Sequence, residues 1–244
     1  MTNKYIYFVA NWKMFGDLKT INSLNKVISF LKKIKKKKFK LIYCLPSIFI
    51  YPFSKKFTKT PIEIGAQNCN ENENYGPFTG QVNSKMLKNV GANYVILGHS
   101  ENRQAGENNK LINLKIQSAI KSNLRVIFCI GETFKEKRKK VTKKVLTKQI
   151  NKGLYKIRKK KNILIAYEPV WAIGSGLIPK EKELFETINF IKNKAKGIKV
   201  LYGGSVNPKN INDLKKIKNI DGFLIGGASQ SANKFIDIIK KTFN

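Results

Sequence analysis

The stretch ILIAYEPVWAIGSGLIPKEKELFETINFIKNKA, residues 163–195, carries a strand, a loop and a helix in that order. Ile163-Leu164-Ile165-Ala166 is an apolar run without polar alternation, the pattern of a strand buried on both faces. Pro169 has no N–H to give a ladder, so the strand ends at Glu168. Further on, Leu184, Ile188, Ile191 and Ala195 recur at helical spacing, with lysines between them on the other side. A doubly buried strand followed by an amphipathic helix is half of a parallel β/α unit. Glu168 is the odd feature, because a carboxylate at a buried strand tip is costly unless something uses it.

The same unit recurs along the chain. β-Branched or aromatic runs occur at 5–10, 40–45, 62–66, 94–97, 125–130, 163–167, 199–202 and 222–225, which makes eight candidate strands. Leu18, Ile21, Leu24, Val27, Ile28, Leu31 and Ile34 form another helical stripe. Eight alternating units in 244 residues fit a closed (β/α)8 barrel better than an open doubly wound sheet. No linker or low-complexity segment interrupts them, so residues 1–244 are expected to form a single (β/α)8 barrel domain.

Charge is the feature that points elsewhere. Lys plus Arg total 48 against 15 acidic residues, a formal net of +33, a balance that often marks nucleic-acid binding. Only Arg103, Arg125, Arg138 and Arg158 are arginines, and the remaining 44 are lysines. Arginine is the better residue for bidentate phosphate and guanine contacts, and interleaved aromatic platforms are absent. The lysine runs at 35–38 and 159–161 are therefore read as solvated outer helix faces, with no specific nucleic acid as partner. The opening residues carry neither a signal peptide nor a membrane span, and a cytoplasmic location is expected. Cys44, Cys69 and Cys129 lie far apart, without a CxxC, and the single histidine leaves too few ligands for zinc, so no metal is expected.

In a barrel, the residues just after each strand gather at one end, where chemistry is placed. Those positions hold Asn11 and Lys13, then Gln67 and Asn68, then His99, Ser100 and Glu101, then Glu168. Each has a bland reading alone, but their shared placement suggests an active site. Tyr202-Gly203-Gly204-Ser205 and Gly226-Gly227-Ala228-Ser229 follow the last two strands. Glycines there let the backbone approach an anion, as in the phosphate sites of such barrels.

Asn11-Trp12-Lys13-Met14, Leu97-Gly98-His99-Ser100-Glu101, Cys129-Ile130-Gly131-Glu132, Tyr167 to Gly176, Tyr202 to Val206 and Gly226 to Ser229 resemble, in order, the motifs of the triosephosphate isomerases. The resemblance implies a (β/α)8 TIM barrel that interconverts dihydroxyacetone phosphate and D-glyceraldehyde 3-phosphate through an enediol. It implies Glu168 as the base, His99 as a neutral electrophile and Lys13 as the cation offsetting substrate charge. Asn11 would orient the substrate and Glu101 would pair with Lys13 or relay protons. Gly174, Ser205, Gly226 and Gly227 would bind phosphate, while 169–171 and 174–176 would be the hinges of a lid tipped by Ala172 and Ile173. No cofactor is implied, since the substrate carbonyl is its own electron sink.

The segment 76–80 resembles the loop with which family members reach a second subunit, Thr79 at its tip, so a homodimer is implied. Phe15, Asn102, Ser175 and Gln230 depart from the usual family residues, Asn, Arg, Thr and Leu, and none is catalytic. Two rivals remain at this point. A Schiff-base aldolase would want lysine where Glu168 stands, and a nucleic-acid binder is suggested by charge alone.

Overall fold

The computed structural model describes residues 5–34 and 38–244. Eight strands close into one barrel: β1 Ile6–Asn11, β2 Phe39–Leu45, β3 Ile62–Ala66, β4 Tyr94–Leu97, β5 Arg125–Ile130, β6 Ile163–Tyr167, β7 Lys199–Tyr202 and β8 Gly222–Ile225. Each pairs in parallel with the next, and β8 returns to β1. Early in the chain lie α1 Thr20–Ser23, α2 Asn25–Lys33, α3 Ser47–Phe57, α4 Ser84–Asn89, α5 Ser100–Gln104 and α6 Asn109–Lys121. The later helices are α7 Phe134–Arg138, α8 Thr142–Gly153, α9 Glu181–Lys194, α10 Ile211–Leu214 and α11 Ala232–Phe243.

Strand periodicity divides the core in two. Tyr7, Val9, Ile42, Cys44, Ile96, Ile127, Leu164 and Leu224 belong to a cluster inside the barrel, while Phe8, Ala10, Leu41, Tyr43, Val95 and Phe128 pack outward against the helices. β3 contributes nothing apolar to the inner cluster, and its Gly65 shows why: a Cβ there would come within 2.7 Å of Cys44 Sγ. Leu184, Ile188 and Ile191 of α9 are fully buried, each contributing about 1.5–3 kcal/mol by leaving water.

Three expectations change in detail. The stripe from Leu18 to Ile34 is not one helix: the chain turns at Leu24 between α1 and α2, and Leu18 lies outside both, well exposed. Asn11 is the last residue of β1 rather than the first after it. Lys160–Asn162 form a 3-10 turn before β6, so the 159–161 run does not sit on a long helix. Of the run at 35–38, residues 35–37 lie outside the described residues.

Candidate active site at the C-terminal end of the barrel

Asn11 and Lys13 at the end of β1, His99 after β4 and Glu168 after β6 come from three strand ends and line one cavity of about 270 Å³. Gly174 and Gly176 of the loop after β6, Ser205 of the loop after β7, and Gly226 and Gly227 after β8 complete its walls. The parallel barrel explains the convergence, since every strand delivers its C-terminal residue to the same rim. Thr79 lies apart on the exposed 76–80 loop and does not line the cavity.

Glu168 is 3 % exposed, its backbone N–H donating to Ile130 O at 2.8 Å. Two glycines make room for it: a Cβ on Gly131 would meet the Glu168 carbonyl, and one on Gly203 would meet its Cγ at 2.7 Å. The carboxylate Oε1 stands 3.4 Å from His99 Nε2, while Oε2 has no hydrogen-bond partner among the described residues. Burial pushes the carboxyl above the ordinary glutamate value, and the neighbouring His99, the Cys129 thiol and Lys13 pull it partly back. A buried carboxylate with one oxygen uncommitted has the chemistry to accept a proton from a molecule in the cavity.

His99 caps α5. Its Nδ1 accepts the Glu101 N–H at 3.3 Å, so the ring hydrogen belongs on Nε2, facing Glu168 and the cavity. Lys13 adopts a left-handed backbone, φ 56°, which costs an L-residue of order 1 kcal/mol. That conformation is held from both sides, since Asn11 Oδ1 accepts the Lys13 N–H at 3.1 Å and Gln67 Nε2 donates to the Lys13 carbonyl at 3.0 Å. Its ammonium reaches Glu101 Oε1 at 2.5 Å.

The loop from Pro169 folds down over the cavity edge. Val170–Ala172 form a 3-10 turn, and Ala172, expected at an apolar tip, is instead buried. Both the N–H and the hydroxyl of Ser205 donate to the Ala172 carbonyl, at 3.1 and 2.8 Å, and the Gly176 N–H donates to Ser205 Oγ at 3.1 Å. Ser205 thus ties the loop down. Gly174 and Gly176 have φ of 68° and 79°, a conformation that favours glycine at the far arm. The glycine loop after β7 does not open directly into a helix, because α10 begins only at Ile211; after β8 the chain turns at once into a 3-10 segment, Gly227–Gln230.

Sequence reasoning gave no role to four residues that shape this site. Gln67 anchors Lys13, as above. Arg103 ties the ends of β4 and β5 together, donating to the carbonyls of Gly98 at 2.7 Å and Cys129 at 3.1 Å. The thiol of Cys129, pushed up by burial and by Glu168, lies inside the barrel beside the Glu168 carboxyl. Glu132 accepts the indole N–H of Trp171 at 2.8 Å and the Tyr167 hydroxyl at 3.3 and 3.2 Å. Its place in the motif Cys129-Ile130-Gly131-Glu132, just after β5, is the signal that marks it in sequence, but its partners Tyr167 and Trp171 come from another strand end.

Comparison with known proteins agrees with this geometry along the whole chain. A sequence model of the family described as triosephosphate isomerase matches residues 6–242. The triosephosphate isomerase of Thermodesulfovibrio yellowstonii is 40 % identical over 253 residues, covering 98 % of this chain and all of the relative. That of Dictyoglomus turgidum is 40 % identical over 243 residues, covering 95 % and 97 %. A crystal structure of the Bartonella henselae triosephosphate isomerase superposes with a TM-score of 0.88 at 31 % identity, covering 98 % of this chain and 99 % of that one. With its closed parallel barrel and its rim of Lys13, His99 and Glu168, the chain belongs to the triosephosphate isomerase family.

Proposed function

We propose that the chain interconverts dihydroxyacetone phosphate and D-glyceraldehyde 3-phosphate, with Glu168 as the proton-transferring base. The observation that carries the proposal is a buried carboxylate, one oxygen without a hydrogen-bond partner among the described residues, opposite a histidine and a lysine in a cavity edged by glycine loops. Glu168 removes a proton from the carbon beside the carbonyl and returns one to the neighbouring carbon, giving the isomer through an enediol. His99 donates from Nε2 to polarise the carbonyl oxygen. Lys13 offsets the charge of phosphate and of the developing enediolate, with Asn11 orienting beside it. Glu101 holds the Lys13 ammonium. Backbone N–H groups at Gly174, Gly226 and Gly227 take the phosphate, and Ser205 joins them by turning its N–H from the Ala172 carbonyl while its hydroxyl still ties down the lid. Loop closure excludes water, which strengthens these charges and discourages loss of phosphate from the enediol. No cofactor takes part.

A coupled assay with glyceraldehyde 3-phosphate tests the reading. Glu168→Asp withdraws the carboxylate by one methylene and His99→Gln removes the electrophile, so each is expected to lower turnover about a hundredfold or more while the Michaelis constant changes little. Near-normal turnover in either variant would falsify the assigned roles.

The protein works as a single barrel domain in the cytoplasm, and as a homodimer. Three buried free thiols suit a reducing compartment, and no helix among the described residues is long and apolar enough to cross a membrane. Met14 is fully exposed, and Phe15 beside it, Phe78 on the 76–80 loop and Tyr75 just before that loop are also exposed, apolar surface that a second subunit would cover. Light scattering that gave the mass of one chain, or activity that sedimented with membranes, would overturn these two points.

A further inference from the structure

Lys137 projects from α7, outside the cavity, and is absent from the chemistry above. Its ammonium nitrogen lies 3.6 Å from the centroid of the Trp171 ring and 2.8 Å from Glu183 Oε1. Trp171 belongs to the first arm of the lid, and Glu183 to the first turn of α9, which the second arm enters. One cation therefore contacts chain on both sides of the lid. The Lys137 side chain is only 28 % exposed, so its contact with the indole face is partly shielded from water and stronger than an open surface pair. The same indole donates its N–H to buried Glu132, whose carboxyl burial pushes up and the Lys137 charge pulls back down.

We propose that Lys137 is a positioning residue that holds the lid in its lowered position, by stacking on Trp171 while pairing with Glu183. The role follows from geometry: a lifting lid must carry Trp171 away from both Glu132 and the ammonium, losing a hydrogen bond and a cation–π contact together. Lys137 thereby raises the fraction of protein whose lid is already down, and a ligand that needs the lowered lid binds in proportion to that fraction. The inference rests on the lid reading under Proposed function.

Lys137→Met keeps the aliphatic stem and removes the charge, and Lys137→Arg keeps a cation able to stack on the ring. For Lys137→Met, kcat/KM for glyceraldehyde 3-phosphate and the affinity for 2-phosphoglycolate are each expected to fall about three- to tenfold. Turnover of unphosphorylated glyceraldehyde, which has no phosphate for the lid to grip, stays at the wild-type level. Lys137→Arg restores both phosphate-dependent quantities to within about twofold. Equal losses with both substrates, no loss with either, or an arginine variant no better than methionine overturns the role of Lys137. A wild-type enzyme with no preference for the phosphorylated substrate sinks the lid reading itself, and the role of Lys137 falls with it.

Discussion

Glu168 is placed where its charge is least comfortable, and that discomfort is measurable. Burial raises its carboxyl above the unfolded value near 4.5, so between 4.5 and the raised native value the folded protein holds a proton that the unfolded chain has released. Stability is therefore full below about 4.5, falls as pH climbs through that window and stays lower above it. Glu168→Gln cannot ionise and escapes the penalty. Urea unfolding at pH 7 is expected to show the variant more stable by about 1 kcal/mol, with the gap closing at pH 4. A variant less stable at pH 7, or a gap that widens in acid, would contradict a strained base. On the proposed role of Glu168, the same raised value places the acid limb of kcat/KM above 4.5, since the carboxyl must be ionised before it can accept a proton.

At the scale of elements, what the sequence discloses depends on whether a signal is local. Six of the eight strands, from β3 to β8, begin and end where the β-branched or aromatic runs do, because past their first residues they are apolar on both faces, with only Glu63 of β3 breaking the run. The stripe from Leu18 to Ile34 is less legible, since an apolar period survives the turn at Leu24 that divides α1 from α2. The lid shows the same limit. Its glycines at 174 and 176 mark an arm that needs positive φ, but that Ala172 is buried under Ser205 depends on a contact 33 residues away. Gln67 illustrates it at the site, where a glutamine after a strand looks generic until the barrel brings it against the Lys13 carbonyl. Residues legible in sequence are those whose type is demanded by chemistry, while their supports are set by through-space neighbours.

At the scale of the whole molecule the open question is the charge of +33. Lys144, Lys148 and Lys152 recur along the exposed side of α8, and Lys159 to Lys161 are exposed in the turn before β6, all on the outside of the barrel rather than in the cavity. Among the described lysines only Lys13 lines the cavity, so the others act on an anionic substrate through the long-range field. That field is screened over ~10 Å at about 0.1 M salt, and kcat/KM for glyceraldehyde 3-phosphate is expected to fall as salt rises, whether or not the lysines serve a partner. The two readings part over nucleic acid. A solvated surface of point-charge lysines binds duplex DNA or RNA weakly, without preference, and releases it near physiological salt as counterions compete. A recognition surface keeps selective binding there, because contacts to base edges or to RNA shape do not depend on charge alone. Changing Lys159, Lys160 and Lys161 to Gln is expected to leave turnover at moderate salt within about twofold of wild type, since no catalytic group touches them. A filter-binding titration across salt separates the cases: tight, selective retention at about 0.15 M that the triple substitution abolishes would make this face a nucleic-acid site and refute the solvated-surface reading.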